Sequence, residues 1–369
     1  MSKLIVQVCM VSAVEDHPNA DHMKIATVKG WRTCIRFDPE TGKSQFNHSD
    51  KCIFVPPDSV VPIALAERLG VVKYLSPVKH GNAGEAITHF RVKAARLRSV
   101  ASYGLIFEAS DNPNWQVGDD VAEYYGIIKW EPPEATRGDA AKEHPAFHRY
   151  TGIEHWANFP EAFEIGEQVL ITEKIHGRNC RIGLVMTENG DGLIVPTMMA
   201  GSHTLPRKEK NAQEIVSDYW KPANEQMRKL LRHLNEGNRN VVAFGEIFGK
   251  DQQDLTYGIN QHGAVGFRLF DIAIDGQYVD FDPKKALCEQ FGIEMVPLLY
   301  RGPYSPDIVR ELTDGPTTLC SPEKLGKFKG REGVVVTPVV ERLMGNFDRL
   351  ILRSVSADFL ARSGGTDAH

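Results

Sequence analysis

Short apolar segments, most of them alternating with polar residues, recur along the first third of the chain and are separated by turn-forming residues. Several short strands at this spacing are typical of a small β-barrel or sandwich. A polar stretch at residues 38–50 indicates a hairpin tip. The predicted strands are Leu4–Val11, Met23–Val28, Thr33–Phe37, Lys51–Val55, His89–Ala94 and Gly104–Ile106, and Ile63–Leu69 is predicted to be a short helix.

From residue 148 onward, apolar runs typical of strands mix with segments whose apolar residues recur every three or four positions. This mixture indicates a sheet-dominated α+β domain. Strands are predicted at Val169–Glu173, Arg181–Met186, Leu193–Met199, Val241–Ile247, Phe267–Ile274, Gly333–Thr337 and Leu350–Arg353. Helices are predicted at Lys208–Asn235, Lys284–Phe291, Pro306–Leu312 and Ala357–Ala361.

The two patterns meet at residues 131–147, which are rich in proline, alanine and charged residues. This composition is typical of a linker. We therefore predict a first domain at residues 1–130, a linker at 131–147 and a second domain at 148–369.

Composition narrows the class of protein and its location. The formal net charge of −5 means that a nucleic-acid partner would need a local basic groove. None of the six cysteines forms a CxxC pair, so we expect reduced thiols, no structural zinc and a cytoplasmic location. The first residues lack a signal-peptide layout, and no apolar run could span a membrane.

Five segments of the second part carry candidate chemistry. EKIHGRN at 173–179 places Lys174 at the end of an apolar strand, three positions before a glycine. FGEIFG at 244–249 places Glu246 within an apolar strand, where a lone carboxylate is costly without a partner or ligand. FRLFDI at 267–272, REGVVV at 331–336 and RLILRSVS at 349–356 add aromatic residues, a second acid at Glu332 and a basic strand.

This ordered set resembles motifs I, III, IIIa, IV and V of the covalent nucleotidyltransferase superfamily, which includes DNA ligases, RNA ligases and mRNA capping enzymes. TEKIHGRN, with His176 where DNA ligases usually have aspartate, is similar to the RNA ligase branch. SVVPIALAERLGVVKYL, RVKAARLRSVASYGLIF and VGDDVAEYYGIIKWEPP resemble the subfamily with an N-terminal OB-like module, called RNA ligase family five. The resemblance implies an OB-like β-barrel followed by an ATP-grasp-like nucleotidyltransferase domain of antiparallel sheets with helices.

The resemblance also implies a role for each segment. Lys174 would attack ATP while unprotonated and become covalently loaded with AMP. Glu332 would bind Mg²⁺, or Mn²⁺ in its place, because a hard carboxylate oxygen suits these ions. Glu246 would contact the ribose or a metal, and the aromatic ring of Phe267 would stack on adenine. The expected nucleotide contacts are Glu173, Lys174, Arg178, Asn179, Glu246, Phe267 and Arg353, and the expected catalytic residues are Lys174, Glu246, Glu332 and Arg353.

Motif V departs from the family pattern. RNA ligases usually carry two lysines there, two positions apart and facing the α-phosphate. This chain has Ile351 at the first position and Arg353 at the second, with Arg349 as a candidate replacement for the missing charge.

Several alternatives stay open at the level of sequence. Phe267 is equally compatible with adenine stacking and with core packing, and Phe270 should face the opposite side of the strand. Trp31 and Tyr103 could stack on bases or pack in a core. The basic residues between Arg91 and Arg98 could contact RNA or face solvent.

The favoured function is ATP-dependent joining of an RNA 3′-hydroxyl to a 5′-phosphate, through lysyl–AMP and an adenylylated 5′ end, in RNA repair. The expected partner is RNA, or a duplex nicked with RNA on the 3′-hydroxyl side, without an obligate protein partner. The alternative is a catalytically impaired relative that binds RNA, since HPNADHMKIATVKGW resembles tRNA-binding OB modules. A GTP-using capping enzyme and a DNA ligase are disfavoured, because only SADFLARSGGTDAH follows motif V.

Overall fold

A computed structural model describes residues 4–78, 89–130, 138–159, 161–326, 328–343 and 349–362. The chain divides into two compact units. Unit 1 comprises Met1–Pro132, Glu154–Phe159 and Val355–His369, and unit 2 comprises Pro133–Ile153 and Pro160–Ser354. Residues 131–137 of the expected linker lie outside the described residues, and the domain boundaries proposed from the sequence stay a prediction.

Short antiparallel strands make up most of unit 1. The strands are β1 (Gln7–Met10), β2 (Ala13–Asp16), β3 (Met23–Val28), β4 (Trp31–Asp38), β5 (Lys43–Ser44), β6 (Lys51–Val55), β7 (Ser59–Pro62), β8 (Ser76–Val78), β9 (His89–Arg91), β10 (Ala95–Leu97), β11 (Val100–Ser102), β12 (Leu105–Glu108), β13 (Ile128–Lys129) and β14 (Glu154–His155). The helices are α1 (Ile63–Arg68) and, near the end of the chain, α5 (Ala357–Ala361). Predicted strands β3 and β6 have the expected bounds, whereas β2, β5, β7, β8, β10, β11, β13 and β14 were not predicted as strands.

The strands of unit 1 form sheets with the orders β1–β6–β12, β2–β3–β4–β5 and β13–β7–β9–β8, and β10 pairs with β11. Val8, Ile53, Val55 and Val61 lie in one buried apolar cluster, which joins the first sheet to the third. The β4–β5 hairpin confirms the predicted polar tip.

Three of the candidates for RNA contact in unit 1, Trp31, Tyr103 and Arg91, are committed to packing, whereas Lys93, Arg96 and Arg98 are exposed and their RNA contact stays a prediction. Trp31 and Tyr103 are 9% and 5% exposed, and their ring centroids lie 5.6 Å apart. Arg91 is buried, its Nε donates to Asp58 Oδ1 at 2.6 Å, and its guanidinium lies 3.3 Å from the ring centroid of Trp130. These three residues therefore hold the fold of unit 1 together.

Longer strands and three helices build unit 2. The strands are β15 (Gln168–Lys174), β16 (Arg178–Glu188), β17 (Ile194–Gly201), β18 (Pro206–Arg207), β19 (Val241–Phe248), β20 (Gly266–Ile274), β21 (Gln277–Tyr278), β22 (Leu298–Pro303), β23 (Gly333–Pro338) and β24 (Leu352–Val355). The helices are α2 (Glu225–Leu234), α3 (Phe281–Phe291) and α4 (Pro306–Thr313). Strands β18, β21 and β22 were not predicted.

The helix predicted at Lys208–Asn235 is wrong over its first half, because only Glu225–Leu234 is an α-helix. Pro222 lacks the amide proton that a continuing helix needs. Asn224 then starts the helix, since its side chain accepts a hydrogen bond from the Met227 amide at 3.0 Å.

Two sheets of unit 2 enclose a shared core. One is six-stranded, in the order β18–β17–β16–β19–β20–β21, and the other contains β24, β23, β15 and β22 as successive neighbours. On one face, the six-stranded sheet packs against residues of α2 and α3. On the other face, Phe147, Tyr150 and Phe244 pack with Val335 of the second sheet and with Ile351, which directly precedes β24. We call this second side the inner face of the six-stranded sheet.

None of the helices in the described part of the chain combines the length and the apolar character that crossing a membrane requires.

Candidate active site

The end of β15 brings Lys174 beside Glu332. Lys174 pairs with Gly333 of β23 in the antiparallel register, and Glu332 directly precedes that glycine. Lys174 Nζ donates to Glu332 Oε1 at 2.5 Å, and the two side chains are 12% and 0% exposed. The sheet thus holds an amine and a carboxylate together with little water around them, although 157 residues separate them along the chain in sequence order.

His176 ties this pair to the long loop between β19 and β20. Its backbone amide donates to the Tyr257 hydroxyl at 2.8 Å, and its Nε2 lies 2.8 Å from Asp254 Oδ1. Its Nδ1 lies 3.7 Å from Glu332 Oε2. His176 is therefore a buried connection between the lysine loop and the loop at residues 249–265, and the sequence did not indicate Asp254 or Tyr257.

Gly177 explains why the lysine loop needs a glycine. A Cβ atom at this position would lie 2.3 Å from the Ile247 carbonyl oxygen and 2.8 Å from Glu246 Cγ. No side chain fits such distances, so only glycine lets the loop pass this close to β19. The Gly177 amide also hydrogen bonds to the Glu246 carboxylate.

Glu246 shares the inner face with the lysine pair. It lies directly opposite Asn179 in the register of β16 and β19, and strand alternation puts it on the same side as Phe244. Burial raises the pKa of Glu246 to about 8; nearby Lys174 opposes this shift and the charge of Glu332 adds to it. Two carboxylates therefore compete for one lysine, and an additional cation would relieve their repulsion.

Asn179 and Arg178 occupy the start of β16. The Asn179 side-chain oxygen is buried and has no hydrogen-bond partner among the described residues. Arg178 is partly buried and pairs with Ile247 in the strand register. A buried acceptor without a donor is costly, which makes Asn179 a fitting contact for a ligand hydroxyl.

Glu173 points away from this cluster, because successive strand residues face opposite sides. Its carboxylate accepts hydrogen bonds from the Thr318 amide at 2.8 Å, from the Thr318 hydroxyl at 2.7 Å and from the Thr317 hydroxyl. The side chain anchors β15 to the 317–318 turn, and its nucleotide contact stays a prediction.

The two candidate phenylalanines lie on opposite faces, as expected, but the predicted ring is on the outer one. A Cβ on Gly245 would lie 2.3 Å from the Phe267 ring, which packs with the cluster containing α2 and α3. The register of β19 and β20 shifts so that Phe270 is skipped as a bulge, and Phe270 packs against the inner-face cluster. This placement argues against adenine stacking by Phe267, because Glu246 lies across the sheet from it.

The basic segment after Glu332 carries three motif V candidates, and the structure places each of them differently. Ile351 is 4% exposed and belongs to the core between the sheets. Arg349 cannot replace the missing lysine, since it is buried against Asp271 at 2.7 Å, Glu341 at 2.5 Å and the Tyr150 hydroxyl at 3.0 Å. Arg353 is partly buried and donates to the Ile153 carbonyl.

The donor set for a metal is small. Within the part of the chain that the structure describes, no group of three or more His, Cys, Asp or Glu side chains could hold an ion. Glu332 and Glu246 offer two carboxylates near the lysine, which suits a hard cation that keeps waters or substrate oxygens as its other ligands.

Two family models match the chain. The model described as RNA ligase matches residues 167–355, which is more than half of the chain, and a model described as an OB-fold domain matches residues 5–109. Both matches agree with the order of domains expected from the sequence. A search of curated proteins found no match.

Solved structures of Naegleria gruberi RNA ligase are similar over nearly the whole chain. The structure with PPi is 23% identical, covers 98% of each chain and gives a TM-score of 0.71. A mutant with AMP and Mn is 24% identical, covers 97% of this chain and 98% of that chain, and gives a TM-score of 0.72. A mutant with ATP and Mn is 23% identical, covers 96% and 98%, and gives a TM-score of 0.71. At this identity the likeness concerns the fold, and it confirms the expected fold class.

Proposed function

This chain belongs to the RNA ligase family, and we propose that it uses ATP to join an RNA 3′-hydroxyl end to a 5′-phosphate end. The observation that carries the proposal is the grouping of Lys174, Glu332, Glu246 and Asn179 within the matched span. The solved structures of the Naegleria protein with ATP, AMP and Mn support the choice of nucleotide and of a divalent cation.

In the first step, Lys174 Nζ attacks the α-phosphorus of ATP after losing a proton. Glu332 Oε1, at 2.5 Å, is the atom that can accept that proton. The new N–P bond replaces the bond to pyrophosphate, which leaves. Lysyl–AMP is the product.

In the later steps, an oxygen of the RNA 5′-phosphate attacks the phosphorus of lysyl–AMP, and the Lys174 amine leaves. The RNA 3′-hydroxyl then attacks the activated 5′-phosphate and releases AMP, which closes the strand. Little covalent work falls to other side chains, so positioning and charge neutralisation dominate.

The nucleotide contacts follow from the inner face of the sheet. Asn179, Arg178 and Glu246 would hold the ribose, and Arg353 would contact the α-phosphate. Phe270, rather than Phe267, would stack on adenine, because it shares the face of Glu246. Glu173 would act by fixing the strand that ends in Lys174.

A divalent cation fits the two competing carboxylates. Mg²⁺, or Mn²⁺ in its place, would be held by Glu332 with Glu246 nearby. When bound, it would neutralise negative charge on the phosphates and on the two glutamates.

The substrate is the finer part of the proposal. The resemblance to ligases with an N-terminal OB-like module supports nicked duplexes with RNA on the 3′-hydroxyl side, and a role in RNA repair. The six cysteines are all free thiols, which is compatible with the proposed cytoplasmic location.

A catalytically impaired RNA-binding relative is the second candidate. Ile351 stands where the family usually has a motif V lysine, and its side chain is buried in the core. A sealing assay separates the two. The substrate is a 5′-phosphorylated strand beside a strand with a 3′-hydroxyl, annealed to one complement, with RNA or DNA at the 3′ end. We expect ATP- and Mg²⁺-dependent joining only with RNA at the 3′-hydroxyl. Retained RNA binding without joining would favour the second candidate.

Arg353→Ala tests the remaining motif V cation. A hydrogen bond to a charged group contributes roughly 1.5–3 kcal/mol, so lysyl–AMP formation should slow at least tenfold. An undiminished rate would remove Arg353 from the phosphate site.

A further inference from the structure

A cavity opens on unit 2 beside the cluster described above. Its volume is about 350 Å³, which is in the range of small-ligand sites. Two prolines line it together with Glu143, His144, Phe147, His148, Arg149 and Arg181. None of these residues was assigned a role by the sequence motifs.

The cavity lies on the inner face of the six-stranded sheet. Arg181 follows Asn179 by two residues on β16, so both side chains face the same side and their Cα atoms are about 7 Å apart. Asn179 is opposite Glu246 in the register. The cavity therefore lies next to the residues proposed to hold the nucleotide, two residues further along β16.

Arg181 is the built-in cation of this cavity. It is 2% exposed, and its Nε donates to the Ser202 carbonyl at 2.8 Å, while an Nη donates to the Phe147 carbonyl. Its guanidinium lies 4.5 Å from the Phe147 ring centroid. These contacts fix the orientation of the side chain at the wall of the cavity.

The neighbouring side chains add a second cation and a further donor. Burial lowers the pKa of His148, and the positive charge of Arg181 lowers it as well. The Ala146 amide donates to His144 Nδ1 at 3.3 Å, which leaves Nε2 as the ring nitrogen that can donate to a ligand. Arg149 is half exposed and donates to Glu143 at 2.8 Å.

We propose that this cavity binds a phosphodiester of the substrate RNA strand, close to the joined end. Arg181 and Arg149 supply the charge, and His144 Nε2 supplies a further donor. Glu143 opposes the phosphate and holds Arg149 until the strand binds. The inference rests on the proposed function, because it takes RNA to be the substrate.

The test uses two substitutions that should change RNA affinity in opposite directions. Arg149→Gln removes a charge-assisted contact and should weaken RNA affinity about tenfold, and the slope of log affinity against log salt should fall by about 1. Glu143→Gln removes the competing carboxylate and should strengthen affinity about threefold. Arg310→Gln is the matched control, since Arg310 is also exposed and pairs with an acid, Asp307. Its RNA affinity should equal that of the wild type.

Affinity is measured by fluorescence anisotropy with a labelled, 5′-phosphorylated RNA, without ATP, at two salt concentrations. Equal affinities in Arg149→Gln, Glu143→Gln and wild type would overturn the proposal. Arg181→Gln should weaken binding further, and the Arg149 and Glu143 variants keep the test valid if that buried substitution prevents folding.

Two further measurements distinguish a failure of the proposed function from a failure of the cavity proposal. Lysyl–AMP formation from ATP alone is measured for the wild type; its absence would refute the proposed function, whereas the RNA affinities would still test the cavity. Titrations with ATP and with pyrophosphate are repeated on Arg149→Gln. If this substitution weakens ATP or pyrophosphate as much as RNA, the cavity belongs to the nucleotide phosphates and the proposal is wrong.

Discussion

Two of the clusters of buried charge in unit 2 are balanced in opposite ways. In the first, Asp271 lies between Lys284 and Arg349 and also accepts a hydrogen bond from the Tyr150 hydroxyl. Burial would raise the pKa of Asp271, but the two cations outweigh it and lower the pKa to about 2. In the second, Glu246 and Glu332 share Lys174, and the pKa of Glu246 rises to about 8.

This difference in charge balance assigns the Asp271 cluster to stability and the Glu246 cluster to function. The Asp271 cluster has its compensating charges within the chain, so it can hold β20, α3 and the segment at Arg349 together. In the Glu246 cluster, ionisation of Glu246 places a second carboxylate beside the Lys174–Glu332 pair, and a bound cation would balance that charge. We infer that the first cluster stabilises the fold and that the second is held at a cost in free energy for the sake of its ligands.

The largest expected effect is on the first cluster. Asp271→Ala leaves Lys284 and Arg349 buried without their shared anion, and such a loss typically costs about 3–5 kcal/mol. The free energy of unfolding, measured with urea, should fall by that amount. Asp282→Ala is the control, because Asp282 pairs with Arg301 on the surface, and it should leave the urea midpoint unchanged. A small effect for Asp271→Ala would contradict the comparison.

The second prediction concerns Glu246, whose ionised form should destabilise the fold, whereas ionised Asp271 stabilises it. The pKa of Glu246 is about 8 in the folded chain against an ordinary value of 4.5. Its protonated form is favoured by folding, so this stability is fully present below pH 4.5 and is lost as the pH rises towards 8. Glu246→Gln should therefore be more stable than the wild type at pH 8, on the order of 1–3 kcal/mol, while ligation activity falls.

The measurement is the urea midpoint of both proteins at pH 5 and pH 8. The gap between them should widen with pH. A gap that stays constant would show that ionisation of Glu246 costs the fold nothing.

The stability contributed by Asp271 should have the opposite dependence on pH, and it should be lost in acid. Its pKa is about 2 against an ordinary 3.8, so the stability that it contributes is present above pH 3.8 and is lost as the pH falls towards 2. The shift corresponds to about 2 kcal/mol. The free energy of unfolding of Asp271→Asn, measured between pH 5 and pH 2, should lack this loss. An identical dependence on pH in the variant and the wild type would contradict the prediction.

The smallest expected effect concerns the two faces of β20. Phe270→Ala should raise the KM for ATP about tenfold, because a stacked base contributes about 1–3 kcal/mol. Phe267→Ala should lower the thermal midpoint with little change in KM, since its ring packs on the outer face. The opposite pattern would restore Phe267 as the stacking residue.

The sequence could predict this site where spacing and motif order were sufficient. Lys174, Glu332 and Glu246 were identified by their motifs, and the structure brings them together in one cluster. Their roles stay predictions. The strand pattern also located most strands of unit 2 to within a few residues.

Other features depend on tertiary contacts that periodicity does not carry. The bulge at Phe270 changes the side-chain alternation of β20 without any local signal such as glycine or proline. Asp254 and Tyr257 lie in a loop with no motif, and only the fold brings them to His176. Arg349 was a candidate for the phosphate site because the sequence does not reveal its burial against Asp271.

The account rests on Lys174 as the nucleophile, and peptide mapping tests this most directly. Wild-type protein is incubated with ATP and Mg²⁺, trapped and digested, and the modified peptide is identified by mass spectrometry beside Lys174→Arg. We predict one AMP on the peptide containing Lys174 and none on the variant, although Arg keeps the positive charge. AMP on another residue, or equal labelling of the variant, would contradict the account.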